Sequence, residues 1–188
     1  LMSIEDKPTE QNVYLSSDLR ETWEGSVRWL LETLEGKVLE SNEESVKVAP
    51  FDVTPVCQLD FSNQLKGDRS RDLAFVAELW QNGQLISRQT AFFVPTKHLN
   101  LTEPAISTQV TVDNGQIHIE LTSRSLARLV ECTLEGVDVV FSDNYFDLPA
   151  GHMVNITAPL PVGWTISQAQ AALKVNSIYD SYAHGAAK

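Results

Sequence analysis

Seven consecutive residues, Phe141-Ser142-Asp143-Asn144-Tyr145-Phe146-Asp147, combine one asparagine, four acidic or hydroxyl side chains and three aromatic rings. That mixture suits a polar site with aromatic walls. It also suits a corner whose side chains satisfy nearby backbone groups. Elsewhere the reactive residue types are scattered. His98, His118, His152 and His184 lack the spacing that sets two imidazoles on one helix face or on adjacent strand positions, so no metal site is expected. Cys57 and Cys132 lie far apart and form no C-x-x-C pair, which excludes a zinc knuckle, a redox pair and a disulfide-dense scaffold. Two buried free thiols are the expectation. Neither a Gly-x-Ser-x-Gly elbow nor a phosphate-cradling glycine loop occurs. Asn100-Leu101-Thr102 and Asn155-Ile156-Thr157 match the glycosylation sequon, a pattern short enough to arise by chance, and are given no role. No catalytic, cofactor-binding or metal-binding residue is assigned, and no cofactor is expected.

Sugars are the ligands that stack on exposed rings of β-sandwiches, and Trp23, Trp29, Trp80 and Trp164 are the rings to weigh. Trp29 lies inside the apolar run Val27 to Leu31 and reads as core. Trp80 borders a hairpin, Trp164 follows Pro161-Val162-Gly163, and Trp23 precedes a strand, so these three are the candidate sugar platforms. Large aromatics stabilise sandwiches chiefly by burial, and rim of the core is the competing reading for all three.

Strand patterns must position these residues. Asn12–Leu15, Ser26–Leu34, Val46–Ala49, Thr54–Phe61, Leu73–Trp80 and Leu85–Val94 are rich in β-branched and aromatic residues and are separated by turn residues. Glycines in Leu34-Glu35-Gly36-Lys37 and Gln81-Asn82-Gly83-Gln84 mark two tight hairpins. Val94 to Pro104, with two prolines, interrupts the rhythm. It resumes in Ala105–Val112, Gln116–Thr122, Leu129–Leu134, Val139–Ser142, Val154–Ala158 and Ala171–Ile178, with an Asn114-Gly115 corner. Trp164 to Ala171 has room for one helical turn capped by Ser167. The fold class expected is all-β: two tandem immunoglobulin-like β-sandwich domains joined by a short Pro-containing linker. The expected boundaries are an N-terminal extension 1–10, a first sandwich 11–94, a linker 95–104, a second sandwich 105–182 and a tail 183–188. The Cys…Trp…Cys signature of antibody domains is absent.

In this layout the polar heptad becomes a corner. Val139, Val140 and Phe141 end a strand, Ser142-Asp143-Asn144 bond local backbone, and Tyr145, Phe146 and Leu148 return apolar mass to the sandwich. Leu148-Pro149-Ala150-Gly151 reads as a type I turn.

The same corner carries a family resemblance. "FSDNYFDLPAG", with the later run Leu173 to Tyr182, resembles the extreme C-terminal domain of β-mannosidases of glycoside hydrolase family 2. "VYLSSDLRETWEGSVRWLLETLEGKVLE" resembles the immunoglobulin-like domain that follows the catalytic barrel in those enzymes, and Phe92 to Leu99 resembles the joint between the last two domains. The resemblance covers nearly the whole chain and is densest over Phe141 to Gly151, where the motif is structural. It implies a parent enzyme that removes terminal β-linked mannose with retention, through two glutamates ~5 Å apart on a (β/α)8 barrel. The barrel's strand-helix rhythm is missing from this sequence. Asn42-Glu43 is similar to the family's Asn that precedes the acid/base Glu, but it sits in the polar run Glu40 to Ser45 and reads as a solvated loop. None of the family's catalytic residues maps onto this chain.

Composition narrows the partners. The 188 residues carry 25 acidic and 14 basic side chains, for a formal net charge of -11, so nucleic acid and anionic lipid are repelled. No apolar run approaches a membrane span, and the chain is expected to be soluble and able to bury a core. Leu1 to Asp6 shows no secretory signal, which makes a cytoplasmic location the expectation unless a leader lies upstream. The function expected is a non-catalytic C-terminal scaffold of a β-mannosidase-like enzyme, partnered by its own barrel and possibly by carbohydrate. The alternatives are a carbohydrate-binding sandwich module and an adhesive or receptor-type tandem sandwich.

Overall fold

The computed structural model describes residues 1–183, and the chain falls into two compact units that divide between Asn100 and Leu101. In the first unit, β1 (Met2–Asp6), β2 (Glu10–Ser16), β3 (Trp23–Thr33), β4 (Val38–Val48), β5 (Val53–Asp60), β6 (Leu73–Gln81) and β7 (Gln84–Phe92) form two antiparallel sheets, β1-β2-β5 and β4-β3-β6-β7. Strand alternation sends Val13 and Leu15 of one sheet and Val27, Trp29, Leu31, Phe75, Ala77 and Leu79 of the other into a shared core. Four rings lie at its centre: Trp29, Phe61, Phe75 and Phe93 meet with centroids 5.8 to 6.2 Å apart.

The second unit contains β8 (Ser107–Asp113), β9 (Gln116–Thr122), β10 (Ala127–Leu134), β11 (Phe146–Leu148), β12 (Met153–Pro159) and β13 (Leu173–Asn176), in sheets β12-β9-β8 and β11-β10-β13. Two short helices, α1 (Ile166–Ala172) and α2 (Ile178–Ala183), flank β13. Its core is aliphatic, built on Ile117, Ile119, Leu121, Val130, Leu134, Leu148 and Ile156. The all-β architecture of two sandwiches in tandem is as expected. The hairpin corners also follow their sequences, since Asn82-Gly83 and Asn114-Gly115 take φ of 51° and 76°, and of 48° and 75°.

Several local expectations change. Residues 1–10, expected as an extension, include β1, which pairs with β2 from Met2↔Leu15 to Asp6↔Gln11 and buries Met2. Only two apolar side chains alternate there, too few to signal a strand. The run Glu40 to Ser45, expected as a loop, lies inside β4, where Asn42 faces Trp29 and Glu43 faces Arg28. Because β4 is an edge strand with one exposed face, it tolerates acidic residues that strand propensity disfavours. Of the expected linker 95–104, Thr96–His98 forms a 3-10 turn and Asn100 is held to the first unit by its N–H on the Arg71 carbonyl. Pro104 accepts from the Arg124 N–H in the second.

In the second unit Val139 to Ser142 is not a strand. Ser142 alone reaches a neighbour, its N–H donating to the Thr157 carbonyl and its Oγ accepting from the Thr157 N–H. The stretch Ala171 to Ile178 divides between α1, β13 and α2. α1 is capped by Thr165, not Ser167, in a reciprocal box with Gln168. The Pro149-Gly151 turn closes from the His152 N–H to the Pro149 carbonyl, with Gly151 at φ 74° as its third residue. That is the type II pattern, one residue later than the type I turn expected. The tail beyond Ala183, including His184, lies outside the described residues.

Candidate functional site

Two places gather polar side chains around aromatic ones: the corner in the second unit and one face of the larger sheet in the first.

At the corner, β11 is too short to complete the hydrogen-bond ladder on β10. Its first partner pair is Val130↔Phe146, and the Tyr145 N–H still reaches the Val130 carbonyl at 2.8 Å. Beyond that point a side chain takes over. Asn144 Oδ1 accepts from the Cys132 N–H at 2.8 Å, and its Nδ2 donates to the Cys132 carbonyl at 3.0 Å. A single carboxamide thus replaces one peptide of a missing strand and satisfies both polar groups of a buried residue. Asp147 does related work one step away. Its carboxylate takes Arg128 Nε at 3.0 Å and Nη2 at 3.2 Å, and accepts the Leu129 N–H at 3.2 Å. Leu129 sits at φ 51°, a left-handed conformation that a branched side chain adopts only when its surroundings hold it.

Asp143 differs from its neighbour. It is exposed, and its carboxylate accepts only the N–H of Asn144, at 2.8 Å. Tyr145, expected to fill the core, is 61% exposed at φ 62°, with its hydroxyl on Glu131. Both the hydrogen bond to Glu131 and its charge hold the phenol above its ordinary pKa. The inward polar groups of the heptad are therefore engaged with backbone or with a fixed partner, the arrangement of a corner whose side chains satisfy their surroundings.

The first unit offers an open face. Direct cross-strand partners on β4, β3, β6 and β7 run Glu43, Arg28, Glu78, Arg88, a row of alternating charge across four strands. Glu78 is buried and carries Arg88 on Oε1, with contacts of 2.8 and 2.9 Å, and the Trp80 indole N–H on Oε2 at 3.1 Å. The ring of Trp80 is held by that bond. Ser26, the cross-strand partner of Trp80, donates from Oγ to Glu43 Oε1 at 2.7 Å. Ser26, Arg28, Glu43, Trp80, Asn82 and Gly83 line an open cavity of about 320 Å3.

The other sugar-platform candidates are less available. Trp23 packs against the first core and lies over Gly25, where any Cβ would overlap its ring and the Trp80 carbonyl oxygen. Trp164 packs against the second core, and Trp29 is buried as expected. Trp23 lines a cavity with Leu15, Leu79 and Ile86, whereas Trp80 lines the one beside Arg28 and Glu43. Arg28, Glu43 and Glu78 were not legible as its neighbours, because their grouping depends on strand register and not on spacing along the chain.

Among the described residues no three His, Cys, Asp or Glu side chains group as a metal would require. No helix among them is long and apolar enough to cross a membrane. His98 and His118 are exposed and His152 is half-buried. Cys132 is buried and Cys57 only half-buried, a correction for the second thiol. Burial pushes both thiols up to about 11, aided by Glu44 at Cys57 and Glu131 at Cys132. Both are protonated and unreactive at neutral pH.

Residues 9–98 match the family model described as a mannosidase Ig/CBM-like domain, and residues 101–181 match an Ig-fold domain of the mannosidase group. No curated protein matches the chain. Among solved structures it is similar to the β-D-mannosidase of Dictyoglomus thermophilum, with a TM-score of 0.81 at 18% identity, covering 94% of this chain and 21% of that one. It is also similar to the exo-chitosanase CsxA of Amycolatopsis orientalis, with a TM-score of 0.60 at 14% identity, covering 94% of this chain and 25% of that one. The chain thus spans about a fifth to a quarter of these relatives (21% and 25%), and at such identities the likeness is one of fold.

Proposed function

The chain belongs to the tandem immunoglobulin-like domains of the family 2 mannosidase group, and from that membership we propose that it is the non-catalytic accessory region of a β-mannosidase-like glycoside hydrolase. The parent enzyme removes terminal, non-reducing β-D-mannose with retention, and its (β/α)8 barrel is the covalent partner of these two sandwiches. The observation that supports this reading is the match of residues 9–98 and 101–181 to the two immunoglobulin-type domain models of the mannosidase group. A retaining glycosidase needs two carboxyl groups about 5 Å apart across the scissile bond. The proposal assigns both to the barrel and gives this chain the task of supporting it.

Two measurements test the proposal. The purified chain, assayed with an aryl β-mannoside, is expected to give no turnover. Activity that survives repurification and disappears when a carboxylate of this chain is mutated overturns the accessory role. A separately expressed barrel, mixed with this chain, is expected to form a complex, because domain interfaces within one chain bury on the order of 600 Å2 or more. Failure to associate at high concentration removes the supporting role.

A further inference from the structure

The geometry points to a binding site for one neutral hexopyranose ring on the first unit, in the cavity lined by Arg28, Glu43 and Trp80. This inference is independent of the accessory role and concerns the isolated chain.

The cavity is built by two fixed walls and two free groups. Glu78 immobilises the Trp80 indole by accepting its N–H, and is itself neutralised by Arg88. Asn82 and Gly83, held in the tight β6–β7 hairpin at φ 51° and 76°, complete the lining beside Trp80. Against these walls stand Arg28 and Glu43, both exposed. They are direct cross-strand partners, yet no hydrogen bond or ion pair joins them. Glu43 uses Oε1 to accept from Ser26, and Arg28 has no bonded partner among the described residues. The guanidinium fork and one carboxylate oxygen are left to face a ligand.

Charge decides what that ligand is. An anion would be attracted by Arg28 but opposed by Glu43 and by a chain of net charge -11. A cation would be drawn by Glu43 and by the net charge but would lie against the Arg28 guanidinium, which repels it and offers it no acceptor. A neutral molecule with closely spaced donors and acceptors uses both groups: adjacent hydroxyls accept from the planar Arg28 fork, and one donates to Glu43. The remaining wall is an indole, which favours a ligand with an apolar C–H face. A pyranose combines these properties. The cavity, at about 320 Å3, lies at the small end of small-molecule sites and suits a single ring better than an oligosaccharide.

The test titrates the full chain with the methyl glycosides of mannose, glucose and galactose, following the indole N–H signals by NMR. Glucuronate and glucosamine serve as charged probes of the same ring. At least one neutral glycoside is expected to shift the Trp80 indole signal saturably, and both charged probes to bind more weakly. Trp80→Ala and Arg28→Ala are each expected to weaken binding at least tenfold. Arg28 is exposed, and Glu43→Gln removes one charge without changing shape, so these two variants keep the test valid if Trp80→Ala disturbs the fold. The proposal is overturned if no neutral glycoside gives a saturable shift up to about 50 mM, well above a millimolar Kd. It is overturned equally if either charged probe binds best, or if binding survives unweakened in Arg28→Ala.

Discussion

The two sandwiches close their sheets by different means. In the first unit, four aromatic rings meet between the sheets, and Trp23 adds a fifth by lying over Gly25 on β3. β3 and β4 pair over most of their eleven residues each, so the backbone largely satisfies itself. The second unit has an aliphatic core, with Phe141, Phe146 and Trp164 only partly buried around it. Its β11 has three residues, and the adjoining edge of β10 is completed by Asn144 and Asp147. The lesson concerns how the two cores tolerate change: one relies on non-directional burial, whereas the other relies in part on two side chains with fixed geometry.

The largest expected effect tests the aromatic side of this contrast. Phe61 touches Trp29, Phe75 and Phe93 and is 2% exposed. Phe61→Ala is expected to destabilise the first unit by about 3 to 5 kcal/mol, the usual loss for a buried aromatic with its cavity. Denaturant unfolding followed by tryptophan fluorescence measures it. A loss below about 1 kcal/mol would mean that the ring cluster is not what holds this core.

Gly25→Ala follows in size. Here φ is not the constraint, since Gly25 is not among the glycines with positive φ. Space is the constraint, because the new methyl would overlap the Trp23 ring and the Trp80 carbonyl oxygen. The ring can swing away, but the carbonyl belongs to the neighbouring strand. A loss of about 1 to 3 kcal/mol is expected, as for overpacked cores. A shifted emission of the tryptophans should accompany it, and an unchanged melting temperature would show that β3 and β6 part more easily than their register implies.

These examples also show what was legible in the sequence. Asn82-Gly83 and Asn114-Gly115 announce their turns because the backbone they need is one that few other residues accept. The strands that alternate strongly, such as Gln116 to Thr122, were equally plain. β4 was hidden because an edge strand can be acidic on its open face, and Glu40 to Ser45 therefore looked like a loop. The cap of α1 is legible as Thr165-x-x-Gln168, but Ser167 inside the same motif is an equally good cap residue by type, and only the reciprocal bonds to Gln168 distinguish the two. Trp80 was identifiable as a candidate by its position beside a hairpin. Its polar neighbours were not, since Arg28 and Glu43 are fifteen positions apart and meet only through the β3–β4 register. At the corner, Asp143 and Asn144 look interchangeable in the sequence, both being turn-forming residues. The difference between them is tertiary.

That difference gives the last and smallest test. Asn144 serves both polar groups of Cys132, a residue 1% exposed, so Asn144→Ala strands an N–H and a carbonyl. A loss of about 1 to 3 kcal/mol is expected for the second unit, with much faster hydrogen exchange at the Cys132 amide. Asn144→Asp sharpens the point: it keeps the acceptor for the N–H but removes the donor to the carbonyl, so exchange at Cys132 should stay slow while stability falls. Asp143→Ala removes one exposed bond to the Asn144 N–H, which water can replace. Its expected effect is within about 0.5 kcal/mol, as for surface substitutions away from special features. Equal losses for Asp143→Ala and Asn144→Ala would mean that the corner acts as one polar unit, with Asp143 needed to aim the carboxamide. The strand-replacement account requires them to differ, and the exchange rate at Cys132 shows which holds.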